Sequence, residues 1–341
     1  MALPLAPPPD TSDRALRAPF TFDYDDISLV PRRASSLPHR SDARPTVDLG
    51  PVSLTVPIVG SPMPDVCGPE MCEALAAAGA LGLLHRFQSI EEEVEQFRSA
   101  TRRAGEGRVG AAVGVTGDFR ERFAALVGAG CRVLCLDTAN GAHEQVGAAL
   151  VWARERCADA FLMAGNVASA EAFAWLEQRG ADAIRVGIAG GAVCETRTET
   201  GVFVPTPYAV AEVAGVRRRA LIVGDSGVRT PSDLCKLLAL GADCVMVGSA
   251  LAGTGEAPGR VIVVEGKKYK IMRGAASFSV QQQVGNDEPE YVEGAETLVP
   301  YKGRVDGVIA RYLAGLRSSM SYMDARSLEE YRANVDFVRL P

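Results

Sequence analysis

Short runs that are apolar at almost every position recur along the middle of this chain: VPIVGS (56–61), ALGLLH (80–85), RVGAAVG (108–114), RVLCLD (132–137), FLMAGN (161–166), AIRVG (183–187), ALIVGD (220–225) and CVMVGS (244–249). Continuous apolar runs, as opposed to alternating ones, suit parallel strands covered on both faces. Between most of them lie stretches with helical periodicity, namely PEMCEALAAAG, IEEEVEQFRSATRR, VGAALVWARERC, ASAEAFAWLEQRG and TPSDLCKLLALG, with cap-type residues near their starts and Gly near several ends. Eight strand–helix units predict an α/β fold, a single (β/α)8 TIM barrel. A doubly wound open sheet would place a GxGxxG turn after its first strand, and that turn is missing.

In such a barrel the chemistry sits on the loops that leave the C-terminal ends of the strands. Those ends carry Ser61, His85, Asp137, Asn166, Gly187, Asp225 and Gly248, a set too polar for a purely structural rim. After the eighth strand, VIVVEGKKYKIMRGAASF predicts a β-ribbon with a positively charged turn, and FSVQQQVGNDEPEYVEGAETLVPYKG shows little periodicity. Residues 261–303 are therefore expected to form an irregular lid or substrate segment within one catalytic domain spanning 21–341. The tail returns to helical patterns in VDGVIARYLAGLRSSMSYM and SLEEYRANVDFV, and residues 1–20 are expected to be a loose arm.

Charge narrows the function classes. Thirty-six Lys and Arg against 42 Asp and Glu give a net charge of -6, without a basic stripe, which argues against a nucleic-acid or membrane-surface partner. Neither a twenty-residue apolar span nor a secretory leader pattern is visible, so a cytoplasmic location is expected. The eight cysteines match no zinc or paired-thiol spacing and read as reduced thiols. His85 and His143 lack metal-ligand spacing, and no metal catalysis is expected.

Cys194 stands apart, because it follows the glycines of IAGG on the loop after the sixth strand, with Thr196 and Arg197 beside it. Most cysteines are inert small hydrophobes. One presented on a glycine-rich loop at the catalytic face is where a thiolate can be stabilised and aimed. Asp225 in GDSG either holds a sugar diol or closes a turn or caps a helix. VGSALAG, with Gly248 and Ser249, offers backbone amides at a helix start, where barrels hold phosphates. Asp137 and Asn140 in CLDTANGAH, and Asn166 in AGNV, either bind a ligand or cap the following helices.

Taken in order, TFDYDDISLVP, SPM (61–63), LDTANG (136–141), GNV (165–167), VGI...G.VC.TR..TGV.VP around Cys194, GDSGVR (224–229), VMVGS (245–249) and EG....VPYKG (293–303) resemble the inosine monophosphate dehydrogenase and GMP reductase family along nearly the whole chain. The resemblance implies a TIM barrel in which Cys194 attacks C2 of a purine nucleotide while a nicotinamide gives or takes hydride at that carbon. It further implies substrate contacts from Ser61, Met63, Asp225, Gly227, Gly248, Ser249, Arg273 and Gly274, and cofactor contacts from Asp137, Asn140, Gly141 and Asn166. A monovalent cation, potassium, is implied on backbone carbonyls around Gly190, Gly191 and Cys194, and a homotetramer as the assembly.

Two activities share that frame. Dehydrogenases of the family hydrolyse the intermediate with an Arg-Tyr pair on a flap, and the stretch from Ser277 to Glu293 has no such pair. Reductases release ammonia and accept hydride from NADPH, using a threonine and a glutamate that match Thr196 and Glu293. The expectation is an NADPH-dependent, GMP reductase-like oxidoreductase, with an inosine monophosphate dehydrogenase and a non-catalytic nucleotide-binding relative as alternatives. Departures from the family pattern bear on the substrate. The expected phosphate-contacting serine is Ala192, the tyrosine before RGM is Met272, the pair at the purine edge is Ala275-Ala276, the lysine after His85 is Arg86, and Pro64 followed by Asp65 replaces the aspartate after SPM. These changes leave GMP and a modified guanine-type nucleotide, such as a 7-deazaguanine nucleotide, as substrate candidates.

Overall fold

The computed structural model describes residues 21–341 except 33, 284, 286, 287 and 290; the expected N-terminal arm lies outside the described residues. Its centre is a closed barrel of eight parallel strands: β1 (Ile58–Gly60), β2 (Leu81–Leu84), β3 (Val109–Val113), β4 (Val133–Asp137), β5 (Phe161–Val167), β6 (Ala183–Val186), β7 (Leu221–Asp225) and β8 (Cys244–Val247). Each strand pairs with its neighbour in sequence, and β8 closes on β1 through Val245 opposite Ile58. All eight coincide with the apolar runs read from the sequence, so the (β/α)8 expectation holds.

The reason for that legibility is burial on two sides. Val59, Leu81, Leu83, Val133, Met163 and Val223 belong to a cluster filling the barrel interior. Leu84, Val109, Leu134, Leu162, Ile184 and Ile222 belong to a second cluster between strands and helices. Each of these side chains leaves water on folding, worth about 1.5–3 kcal/mol when complete. The antiparallel pair Val47–Asp48 and Ser53–Leu54 precedes β1 and plugs the interior from the N-terminal side, with Leu49 and Leu54 against the cluster that includes Phe161.

Eight helices wrap the barrel: α1 (Pro69–Ala77), α2 (Ile90–Ala104), α3 (Phe119–Gly128), α4 (Glu144–Arg156), α5 (Ala170–Gln178), α6 (Thr206–Ala214), α7 (Pro231–Leu240) and α8 (Val305–Tyr322). The Ser89, Ser169 and Thr230 side chains accept backbone N–H bonds at the starts of α2, α5 and α7, satisfying donors that the first turn cannot. Short helical turns, Thr196–Thr200 and Ser249–Ala252, follow β6 and β8.

The segment after β8 is more regular than expected. The ribbon is present, with Ile262–Val264 antiparallel to Lys267–Arg273 across a turn at Glu265 and Gly266. A third strand, Glu296–Pro300, joins it, and Phe278–Gln283 is helical. The tail also differs at one point: helix Leu328–Asn334 stops before Val335, whose extended backbone leads into strand Asp336–Arg339. That strand pairs antiparallel with Ile27–Val30, which supplies the hydrogen bonds its own exposed residues cannot specify.

Candidate active site

Two loops that are distant in sequence are laced together by backbone hydrogen bonds above β6. Val193 O accepts from Ala295 N, Glu195 N donates to Glu293 O, and Gly274 N donates to Ala295 O, each at 2.9 Å. This lacing sets Cys194 beside Glu293. The Cys194 thiol donates to Thr196 Oγ1 at 3.3 Å, and the Thr196 hydroxyl donates to Glu293 Oε2 at 2.6 Å. All three line a cavity of about 580 Å3 over the C-terminal ends of the strands. Six of the eight free cysteines are buried, and only Cys194 and Cys157 are partly open to solvent. Burial pushes the Cys131 and Cys135 thiols up to about 12, which keeps them protonated and inert.

The cavity floor is a chain of charges. Arg185, on β6 and only 6% exposed, pairs with Asp137 at the end of β4 and with Asp225 at the end of β7, the latter at 2.9 Å. Asn166 Nδ2 donates to Asp225 Oδ2 at 2.8 Å, and Arg86 Nε lies 3.7 Å from the other Asp137 oxygen. Burial works against the Asp137 charge, but Arg185 and Arg86 outweigh it and hold the carboxyl below its usual range. Burial likewise opposes the Arg185 charge, while Asp225 and Asp137 more than restore it. Both carboxylates are thus fixed acceptors with remaining lone pairs, suited to hydroxyl groups of a ligand. Arg185 was not among the residues expected from sequence, although a charge inside the apolar run AIRVG was a visible signal.

The other expected residues divide by position. Ser61, Met63, Gly191, Gly227, Gly248, Ser249 and Gly274 line the cavity together with Asp137, Asn166 and Asp225. Gly187, at the exit of β6, has φ 139°, and a Cβ there would lie 1.7 Å from the Asp225 carbonyl oxygen. Gly227 has φ 79° and packs on the Tyr24 ring. Four residues stand off the cavity wall. Asn140 accepts from Ala142 N in a local turn, Gly141 N donates to Asn166 O, and Gly190 packs on Ser226. Arg273 is clamped to Asp65 by two side-chain hydrogen bonds, at 2.7 and 2.8 Å. Neither Asp137 nor Asn166 caps a helix, since His143 and Ser169 cap α4 and α5.

His85, at the end of β2, is buried near the Asp65–Arg273 pair, and its Nδ1 has no hydrogen-bond partner. Burial pushes its imidazole down to about 4, with Asp65 pulling upward and Arg273 and Arg122 downward. The fold therefore holds it neutral, while the unfolded chain protonates it near 6.5. Stability is complete above that value and falls as pH drops towards 4, by roughly 3 kcal/mol in total. The thermal midpoint should decline over this window in wild type and decline less in His85→Gln.

A second cavity of about 200 Å3 adjoins the first and shares Arg86, Asp137, Thr138 and Ala139 with it. Together they form an elongated trough, with the Cys194 relay on one side and the Asp137–Arg86 wall on the other. The Arg86 Nε is buried and makes no hydrogen bond, but it stays in ion-pair range of Asp137 at 3.7 Å. No helix among the described residues is long and apolar enough to cross a membrane.

Known proteins resemble this chain in sequence and in fold. The profile of the IMP dehydrogenase / GMP reductase domain matches residues 21–341. The inosine-5'-monophosphate dehydrogenase of Borreliella burgdorferi is 30% identical over 93% of this chain and 93% of its own length. That of Nitrosopumilus maritimus is 39% identical over 77% of this chain, which spans 58% of that relative's length. The crystal structure of a GMP reductase from Trypanosoma brucei in complex with guanosine 5'-monophosphate superimposes with a TM-score of 0.88 at 28% identity, covering 96% of this chain and 97% of that one. A closed barrel, a thiol–hydroxyl–carboxylate relay at its mouth and a match over residues 21–341 lead to one conclusion: the chain belongs to the IMP dehydrogenase / GMP reductase family.

Proposed function

We propose that the chain is an NADPH-dependent reductive deaminase acting at C2 of a guanine-type purine nucleotide, either GMP or a modified base such as a 7-deazaguanine. The observation that carries this reading is the relay from Cys194 through Thr196 to Glu293. Expelling an amine requires a proton at the leaving nitrogen, and a carboxyl group reached through a hydroxyl supplies one. The thiol proton passes along the relay towards Glu293 as sulfur bonds to C2. It returns to the exocyclic amine as the C2–N bond breaks, and ammonia leaves. A nicotinamide held along the trough would supply a hydride to C2; the Cys194 sulfur, displaced from that carbon as a thiolate, takes a proton from solvent. Asp225 and Asn166 would orient the substrate ribose, and Asp137 and Arg86 the dinucleotide along the trough.

The Gly191 carbonyl accepts from the Cys194 amide and keeps a second lone pair, so it and its neighbours on this loop would hold a monovalent cation, and no step is routed through it. A tetramer in the cytoplasm fits the family reading.

The dehydrogenase reading is favoured by the names of the curated relatives. Against it stands the absence of any arginine between residues 277 and 293, which removes the flap pair that would activate water. One assay separates the two readings. Reductive deamination consumes NADPH and releases ammonia with a guanine-type nucleotide, whereas a dehydrogenase reduces NAD with inosine monophosphate and releases none. Glu293→Gln and Thr196→Val should each lower turnover by roughly 10²- to 10⁴-fold, the usual worth of a positioned proton relay, with little change in nucleotide affinity.

A further inference from the structure

Six charged side chains line the main cavity: Arg86, Arg185, Arg229, Asp137, Asp225 and Glu293. Five are engaged within the protein. Arg86 and Arg185 face Asp137, Arg185 also holds Asp225, and Glu293 accepts from Thr196. The guanidinium of Arg229 has neither an ion pair nor a hydrogen bond among the described residues, although its backbone N–H is held by Asp233 at 2.9 Å. Among the described residues that line the cavity, Arg229, on the loop joining β7 to α7, is therefore the cation whose side chain has no partner.

That loop lies between the two others that present backbone amides. A Cβ on Gly190 would meet Ser226 at 3.1 Å, and a Cβ on Gly227 would sit 3.5 Å from the Gly190 carbonyl, so the loops after β6 and β7 touch. On the other flank, β8 pairs with β7 and leads to Gly248 and Ser249. In the same region the hydroxyls that the family resemblance leads one to expect are absent, with Ala192 exposed and Met272 in the wall. The floor and the β2–β4 side are neutralised internally, so a dianion gains most at Arg229.

We propose that Arg229 anchors the substrate's phosphate, taking over from the two missing hydroxyls. Its fork of N–H donors suits phosphate oxygens, and its charge confers selectivity for a nucleotide over the corresponding nucleoside. The proposal rests on the reading of the site as a purine mononucleotide site, and it concerns the phosphate rather than the reaction at C2.

Calorimetric titration tests it, with GMP against guanosine and 7-deazaguanosine monophosphate against its nucleoside, on wild type, Arg229→Gln and Arg229→Lys. Arg229 is exposed, and an unchanged thermal midpoint would confirm that the variants fold. Wild type should bind at least one nucleotide far better than its nucleoside. Arg229→Gln should weaken that nucleotide roughly 10- to 100-fold and leave the nucleoside unchanged, with Arg229→Lys between them. Equal weakening of nucleotide and nucleoside, or a nucleotide affinity within twofold of wild type, would overturn the role of Arg229 alone. Wild type that does not distinguish any nucleotide from its nucleoside would overturn the mononucleotide reading as well.

Discussion

Replacing Cys194 by alanine is expected to abolish ammonia release and NADPH oxidation, by roughly 10⁴-fold or more, while nucleotide affinity stays within a few-fold of wild type. The size follows from the role: a nucleophile that forms the covalent bond has no substitute in the site, because the nearest polar neighbours, Thr196 and Glu293, are engaged with each other. The companion measurement is mass analysis of the trapped enzyme. A guanine-type nucleotide supplied without reductant should leave an adduct on wild type that disappears in Cys194→Ala. Persistence of turnover in the variant would remove the covalent route altogether.

The second large effect is on stability. Arg185→Met is expected to cost about 3–5 kcal/mol, since it leaves Asp137 and Asp225 beneath the cavity without their shared cation. A denaturation midpoint reads this directly. Adding Asp137→Asn and Asp225→Asn to Arg185→Met should recover part of the loss, because neutral amides are cheaper to bury than unpaired carboxylates. If the single substitution left the midpoint unchanged, the floor would be a solvated cluster with little net energy.

The barrel was legible in the sequence because its strands are buried on both faces, which forces continuous apolar runs, and because each run ends in a residue that can close a turn or bind a ligand. Two helices gave a weaker signal, because neither has a side-chain cap: Asp118 precedes α3 without capping it, and Pro205 precedes α6. The strands Glu296–Pro300 and Asp336–Arg339 were not legible. In the first only Val299 faces inward, and in the second every residue is exposed, so partners rather than periodicity define them. At the site, Cys194, Thr196 and Glu293 could be proposed from motif positions, but their contact depends on lacing between residues about a hundred positions apart. The resemblance implied Arg273 as a substrate contact, and the fold adds what the motif could not show, that Asp65 holds its guanidinium.

The pairing of Ile27–Val30 with Asp336–Arg339 reaches further than its exposed position suggests. Leu340 N donates to Asp26 O, and two residues upstream the Tyr24 hydroxyl donates to the Ser226 carbonyl at 2.7 Å, beneath Gly227 and Arg229. Lys236 holds the Tyr24 carbonyl from the other side. A protease nick or a bulky affinity tag near Asp336 would therefore act as a remote effector, loosening the catalytic mouth from the far end of the polypeptide.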